Sequence, residues 1–242
     1  GHHPHGLLVD RAGMVWTTGN GNGTIGRLDP ATGEVTEFRT PSGGGGPHTL
    51  VISDDQRTLW FTLQTGNRIA SLDTQSGRIT EYPTSGGPYG LGLDRAGNVW
   101  FCRMGDDRMG RLDPRTGTLG EVDTGPGSRP RRMAVDGEGM LWVTLFGTGR
   151  LAQIDPVAMR VVKTWPLPAG NAGAYAVTVD GAGIVFVNEI ETDTVVRFEP
   201  RTGRMQVVPL ASGGAGIRKM VVDASGRLWY MGSHNGRLGV IE

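Results

Sequence analysis

The sequence predicts an all-β protein, a β-propeller of four-stranded antiparallel blades with six repeats visible, and three observations carry that prediction. One unit recurs six times. A large aromatic residue anchors every copy, at Trp16, Trp60, Trp100, Trp142, Phe186 and Trp229, spaced 44, 40, 42, 44 and 43 residues apart. No 3.6-residue apolar period occurs, whereas short alternating runs bounded by Gly, Asp and Pro recur throughout. Fixed self-similarity at this period belongs to blades, each of which must cover its neighbours' apolar faces.

The unit opens as P-x-G-L-x-V-D-x-x-G-x-x-W-x-T and continues as I-G-R-L-D-P-x-T-G, followed by a short T-E-F or T-E-Y run. Its copies are PHGLLVDRAGMVWTT, PHTLVISDDQRTLWFT and PYGLGLDRAGNVWFC, then the looser PRRMAVDGEGMLWVT, AYAVTVDGAGIVFVN and IRKMVVDASGRLWYM. Residues 1–242 are therefore expected to form one propeller domain, with blades at about 4–41, 47–84, 88–123, 130–168, 174–210 and 217–242. The first strand is HGLLVD-like, the second MVWTT-like, the third TIGRLD-like and the fourth VTEFR-like. Between the first two, Asp10, Asp94, Asp136, Asp180 or Asp223 opens a D-x-x-G turn, where the carboxylate can bond nearby backbone N–H groups. Between strands three and four, D-P-A-T-G at 29–33 is echoed by DTQSG, DPRTG and EPRTG. Pro presets φ there and Gly closes the turn. The fourth copy, Asp155–Met159, lacks the glycine, which predicts a longer or differently shaped hairpin. The sixth copy ends at its third strand, so either that blade has three strands or a preceding segment, as large as a further blade, completes the ring.

Lys plus Arg equals Asp plus Glu at 24 each, so the chain lacks the basic excess of a nucleic-acid surface. No apolar run is long enough to span a membrane. Cys102 is the single cysteine and forms no internal disulfide. The chain is expected to be a soluble monomer, cytoplasmic or, after loss of a signal peptide, periplasmic. Its 41 glycines are too evenly spread for a linker and fit many tight turns.

A propeller places the first strand of each blade along the central channel. The residue just after the Pro, or after the Ala174 or Ile217 that stands in its place, is at the channel mouth and is His5, His48, Tyr89, Arg131, Tyr175 and Arg218 in the six copies. Two imidazoles, two phenols and two guanidiniums are expected to converge there on a small-molecule ligand. Any polar residue suits a wet channel mouth, yet Ser, Thr, Asn, Gln and Lys are all absent from this set. A second layer follows the anchoring aromatic, where Arg103 and Glu189 are the charged members. Glu189 could act as a general base or as a metal ligand, or pair with Arg131 or Arg218 in a purely structural bridge. No H-E-x-x-H, paired C-x-x-C or G-x-S-x-G motif occurs, and the Gly-rich SGGGG at 42–46 lacks the Lys-Ser/Thr of a phosphate loop.

With these repeats, the chain resembles the virginiamycin B lyase, or streptogramin lyase, family over essentially its whole length. PHGLLVDRAGMVWTTGNGNGTIGRLDPATGEVTEF, PYGLGLDRAGNVWF and SRPRRMAVDGEGMLWVT carry the resemblance. It implies a seven-bladed propeller and a magnesium-dependent carbon–oxygen lyase that linearises a cyclic depsipeptide antibiotic by elimination. That chemistry needs a base for a proton α to a carbonyl and a cation for the developing enolate. By motif, His5 and His48 match the family's Pro-His positions, Tyr89 its Pro-Tyr position and Glu189 a glutamate after the strand-two aromatic. The resemblance thus implies His5, His48, Tyr89 and Glu189 as catalytic residues and Mg2+ as cofactor with Glu189 as ligand, while the position of Arg103, Arg131, Tyr175 and Arg218 at the channel mouth makes them the expected substrate-binding residues. The sequence departs from the pattern where the family has Glu before Pro-His, since His3 and Gly46 stand there. Two other functions share the repeat. One is a non-catalytic propeller binding a small anion or a protein segment at the mouth. The other is a gluconolactonase-type lactonase, for which Asn20, Asn188 and Glu189 would supply metal ligands.

Overall fold

The structure is a computed structural model that describes residues 3–242. It contains 23 strands and no helix among the described residues, in six sheets each built from consecutive antiparallel strands. The first holds β1 (Pro4–Val9), β2 (Val15–Gly19), β3 (Thr24–Leu28) and β4 (Val35–Arg39). The second holds β5 (Pro47–Ile52), β6 (Thr58–Leu63), β7 (Arg68–Asp73) and β8 (Ile79–Pro83); the third holds β9 (Pro88–Leu93), β10 (Val99–Arg103), β11 (Arg108–Leu112) and β12 (Leu119–Asp123). The fourth comprises β13 (Pro130–Val135), β14 (Leu141–Leu145), β15 (Arg150–Asp155) and β16 (Arg160–Pro166). The fifth comprises β17 (Ala174–Val179), β18 (Val185–Glu189), β19 (Thr194–Glu199) and β20 (Arg204–Pro209). The sixth has three strands only, β21 (Ile217–Val222), β22 (Leu228–Gly232) and β23 (Arg237–Ile241). The fold class is all-β, with the blade sheets of a propeller.

The chain divides into two compact units, one of Gly1–Asp106 with Gly110–Gly120, the other of Asp107–Met109 with Glu121–Glu242. In the first unit the anchoring aromatic of one blade packs on the apolar face of the next. Trp16 and Ile25 join Leu50, Leu59, Phe61 and Leu63 in one buried cluster, and Trp60 joins Leu91, Val99 and Phe101 in another. The second unit repeats the pattern, with Trp142 against Val185, Val187 and Phe198, and Trp165 lying 5.0 Å from the Phe198 ring. Each fully buried indole of this kind contributes a large apolar area, which one sheet could not bury alone.

The D-x-x-G turns do more than cap a hairpin. In the first copy Asp10 Oδ1 accepts from the Ala12 and Met14 N–H groups at 2.9 Å, while Oδ2 accepts from the Trp16 indole Nε1 at 2.8 Å. Asp94 with Trp100, Asp136 with Trp142 and Asp223 with Trp229 repeat the indole bond at 2.9, 2.9 and 2.8 Å. One carboxylate thus fixes the turn and orients the anchor. Asp180 keeps both backbone bonds, but Phe186 offers it no N–H.

The fourth-blade hairpin has a turn of ordinary length but a different shape, as expected of a copy without the glycine, with a register shift between Gln153 and Ile154 that the fifth-blade hairpin lacks. Asp155 pairs with Arg160, as Glu199 pairs with Arg204 in the glycine-containing copy, so the two hairpins have equal length. Met159 adopts φ +53° where Gly203 has +74°. The hairpin geometry forces the left-handed region on a residue with a Cβ, at a cost of about 1–2 kcal/mol.

Candidate functional site

Each of the six residues predicted to line the channel mouth sits in a β-bulge of its own sheet. In the first sheet Pro4 pairs with Gly19 and Leu7 with Thr17, so His5 and Gly6 face the single residue Thr18. The other sheets repeat this, with His48-Thr49 opposite Thr62, Tyr89-Gly90 opposite Cys102 and Arg131-Arg132 opposite Thr144. Tyr175-Ala176 stands opposite Asn188, and Arg218-Lys219 opposite Met231. A bulge bends its strand and re-aims a side chain, which is how six regular strands present one selected residue each.

In four of the six sheets a Thr or Asn opposite the bulge satisfies the backbone that the bulge displaces. Thr18 Oγ1 accepts from the Gly6 N–H at 2.6 Å and donates to the His48 carbonyl at 3.0 Å. Thr62 accepts from Thr49 N–H at 3.1 Å and donates to the Tyr89 carbonyl at 3.0 Å. In the second unit Thr144 joins Arg132 N–H to the Tyr175 carbonyl, at 3.0 and 2.8 Å. Asn188 joins Ala176 N–H to the Ile217 carbonyl, at 2.8 and 3.1 Å. These buried bridges span 27 to 31 residues and tie one bulge to the next. The sequence holds their signal as a Thr or Asn two residues after the aromatic, in W-T-T, W-F-T, W-V-T and F-V-N.

In the first unit three of the predicted residues come together. The His5 and His48 ring centroids lie 3.7 Å apart and those of His48 and Tyr89 4.0 Å apart. His48 and Tyr89 are buried at 3% and 4% exposure, so this part of the mouth is not the wet rim that channel residues usually line. His5 is open to solvent. His48 Nδ1 lies 3.0 Å from Thr49 Oγ1. When that nitrogen carries the proton and donates, Nε2 is the unprotonated nitrogen of the neutral ring.

The second unit gathers the other three. The Arg131 guanidinium lies 4.2 Å from the Tyr175 ring centroid and 4.4 Å from that of Phe146, and its Nη2 reaches the Tyr175 hydroxyl at 3.4 Å. Arg218 approaches the same ring at 5.9 Å. Arg132, which the sequence reading missed, approaches it at 5.8 Å. Its signal was the doubled basic residue in P-R-R and I-R-K.

The second-layer residues turn towards the connections between blades. Arg103 forks onto Asp106 and donates to the Ser85 hydroxyl at 2.6 Å. Glu189, 3% exposed, accepts from the Ala169 N–H through Oε2 at 3.1 Å, and its Oε1 meets no hydrogen-bond partner. Burial pushes its carboxyl above the usual range, and the Ala169 bond partly opposes this. The expected bridge from Glu189 to Arg131 or Arg218 does not form. Asn20 donates through Nδ2 to the Pro47 carbonyl at 3.1 Å, while Asn188 uses both its amide oxygen and its amide nitrogen on backbone. Among the described residues no three His, Cys, Asp or Glu side chains gather at one point. Magnesium is commonly held by one or two carboxylates with water completing its octahedron, and Glu189 is the one carboxylate among the predicted site residues. Among the described residues no helix is long and apolar enough to cross a membrane.

The bulged blades and the residues they present define a β-propeller that offers side chains from its inner strands. The virginiamycin B lyase family model matches residues 1–242. A virginiamycin B lyase of Nocardia farcinica is 28% identical over 221 residues, covering 87% of this chain and 75% of that protein. The structure of a streptogramin B lyase superposes with a TM-score of 0.92 at 26% identity, covering all of this chain and 80% of that one. A virginiamycin B lyase of Staphylococcus aureus also gives 0.92, at 23% identity, over all of this chain and 81% of its own. The catalytically inactive histidine-to-alanine form of the Staphylococcus aureus enzyme with quinupristin gives 0.88 at 23% identity, over 98% of this chain and 83% of that one. The chain belongs to the virginiamycin B lyase family.

Proposed function

We propose that this protein is a carbon–oxygen lyase that opens a cyclic ester or depsipeptide by elimination, with His48 as the base. The observation that carries the reading is the His5–His48–Tyr89 stack, in which a buried imidazole is fixed from both sides and by Thr49. His48 Nε2 takes the proton on the carbon next to the one bearing the ester oxygen. That C–H electron pair becomes a carbon–carbon double bond, the carbon–oxygen bond breaks, and the carboxylate leaves on the opened chain. His5, open to solvent and in contact with His48, passes the proton out, and the Tyr89 phenol holds the ring plane. The pose of His48 depends on Thr18, which grips its carbonyl. Family membership and the inactive histidine variant of the Staphylococcus aureus enzyme support a histidine-dependent reaction.

The test is incubation with a streptogramin B compound, with and without magnesium, followed by mass spectrometry. Elimination yields a linear product of unchanged mass, whereas hydrolysis adds one water. Replacing a general base lowers turnover by about 100-fold or more, which is the expectation for His48→Ala. Absence of turnover, or turnover that survives in His48→Ala, would remove the assignment.

A further inference from the structure

The second unit carries a feature that the elimination reading does not use. Four basic residues occupy the two bulges that flank the Tyr175 bulge, Arg131 and Arg132 on β13, Arg218 and Lys219 on β21. All three guanidinium carbons lie within 5.9 Å of one buried phenol ring. We propose that this cluster is a binding site for a small molecule bearing a compact oxyanion, a carboxylate or a phosphate, clamped between Arg218 and the Arg131–Arg132 pair.

Several independent facts converge on it. Like charges gathered this closely repel one another, and a bound anion turns the repulsion into attraction from every side. Guanidinium groups offer planar forks matched to carboxylate and phosphate oxygens. The Tyr175 ring, only 1% exposed, makes a rigid floor that holds Arg131 by cation–π contact and by its hydroxyl. Thr144 and Asn188 lock the backbone of the Arg131-Arg132 and Tyr175-Ala176 bulges, so the arginines on β13 are placed before any ligand arrives. Lys219 keeps part of its stem open to solvent, yet its ammonium is crowded enough that burial, then the charge of Arg132, lowers its pKa. Arg218 is solvent-exposed, as Lys219 beside it is, so a ligand reaches β21's side of the cluster directly.

The site is independent of the elimination reading, because its test uses neither an ester nor turnover. The full chain is titrated calorimetrically at low ionic strength with inorganic phosphate in one arm and citrate in the other. Saturable binding in either arm is expected, and the arm that binds tighter names the oxyanion class. Added salt weakens it by screening. Arg218→Gln is expected to lower the affinity about tenfold or more, the share of one charge-assisted contact. Lys219→Gln should lower it as well, while Arg237→Gln, exposed on β23, should leave it unchanged. Unaltered far-ultraviolet circular dichroism and Tm show that Arg218→Gln is folded. No binding of either anion by the unaltered protein, or equal binding by folded Arg218→Gln, would overturn the proposal.

Discussion

Asp136→Asn isolates what the Asp–Trp clamp contributes to this fold. The carboxylate accepts three bonds at 2.9 Å, from the backbone N–H groups of Glu138 and Met140 and from the Trp142 indole. The asparagine oxygen can keep both backbone bonds, but its amide then faces the indole N–H donor to donor. Trp142 is 1% exposed, so no water replaces the lost acceptor. Losing a bond to a charged group costs about 1.5–3 kcal/mol. Weakening the other two from charge-assisted to neutral adds about 1 kcal/mol. The expected total is about 3 kcal/mol. Asp180 provides the control within the same unit, since its oxygen accepts from Ala182 and Ile184 but faces Phe186. Asp180→Asn should therefore cost only the weakening, about 1 kcal/mol. Urea unfolding followed by far-ultraviolet circular dichroism reads both, and Trp142→Phe should erase the excess cost of Asp136→Asn, a coupling of about 2 kcal/mol. Equal costs for Asp136→Asn and Asp180→Asn would refute the clamp as an energetic unit and leave it a geometric coincidence.

Two further outcomes follow from local geometry. The Asp223 carboxyl is held at about 2, first by the Trp229 indole and further by the Arg227 and Ser225 N–H groups, against an ordinary value of 3.8. Its folded pKa is depressed, so its contribution to stability is present above pH 4 and is lost as pH falls through about 2. Carboxyl-carbon NMR should place its midpoint there and Trp229→Phe should raise it, whereas an unshifted midpoint in the unaltered protein would contradict the clamp in the sixth blade. Met159→Gly relieves a left-handed residue at φ +53° and should stabilise by about 0.5–1 kcal/mol in chemical unfolding, the relief being partly offset by the unfolded-state entropy of glycine. Met159→Val, β-branched, should destabilise instead.

The sequence alone determined the repeat, the strand order within each blade, the turn residues and the position at the start of each first strand that the structure finds in a bulge. These are local properties. Period-2 alternation, the φ demands of Gly and Pro, and an aromatic every 40 to 44 residues act within one blade and need no partner to be read. Tertiary structure decided the rest. Asp10 and Trp16 were each visible, but the bond between them requires the strand to turn the indole back over the carboxylate. The bulge that aims His5, His48 and Arg131 depends on a hydroxyl whose second partner is about 30 residues away, in the next sheet. Glu189 illustrates the limit most plainly. Its charge and position suggested an arginine partner, yet the connection at Ala169 captures one oxygen and burial governs the carboxyl. Which partner a side chain meets depends on contacts remote in sequence, and those exist only once the blades have packed.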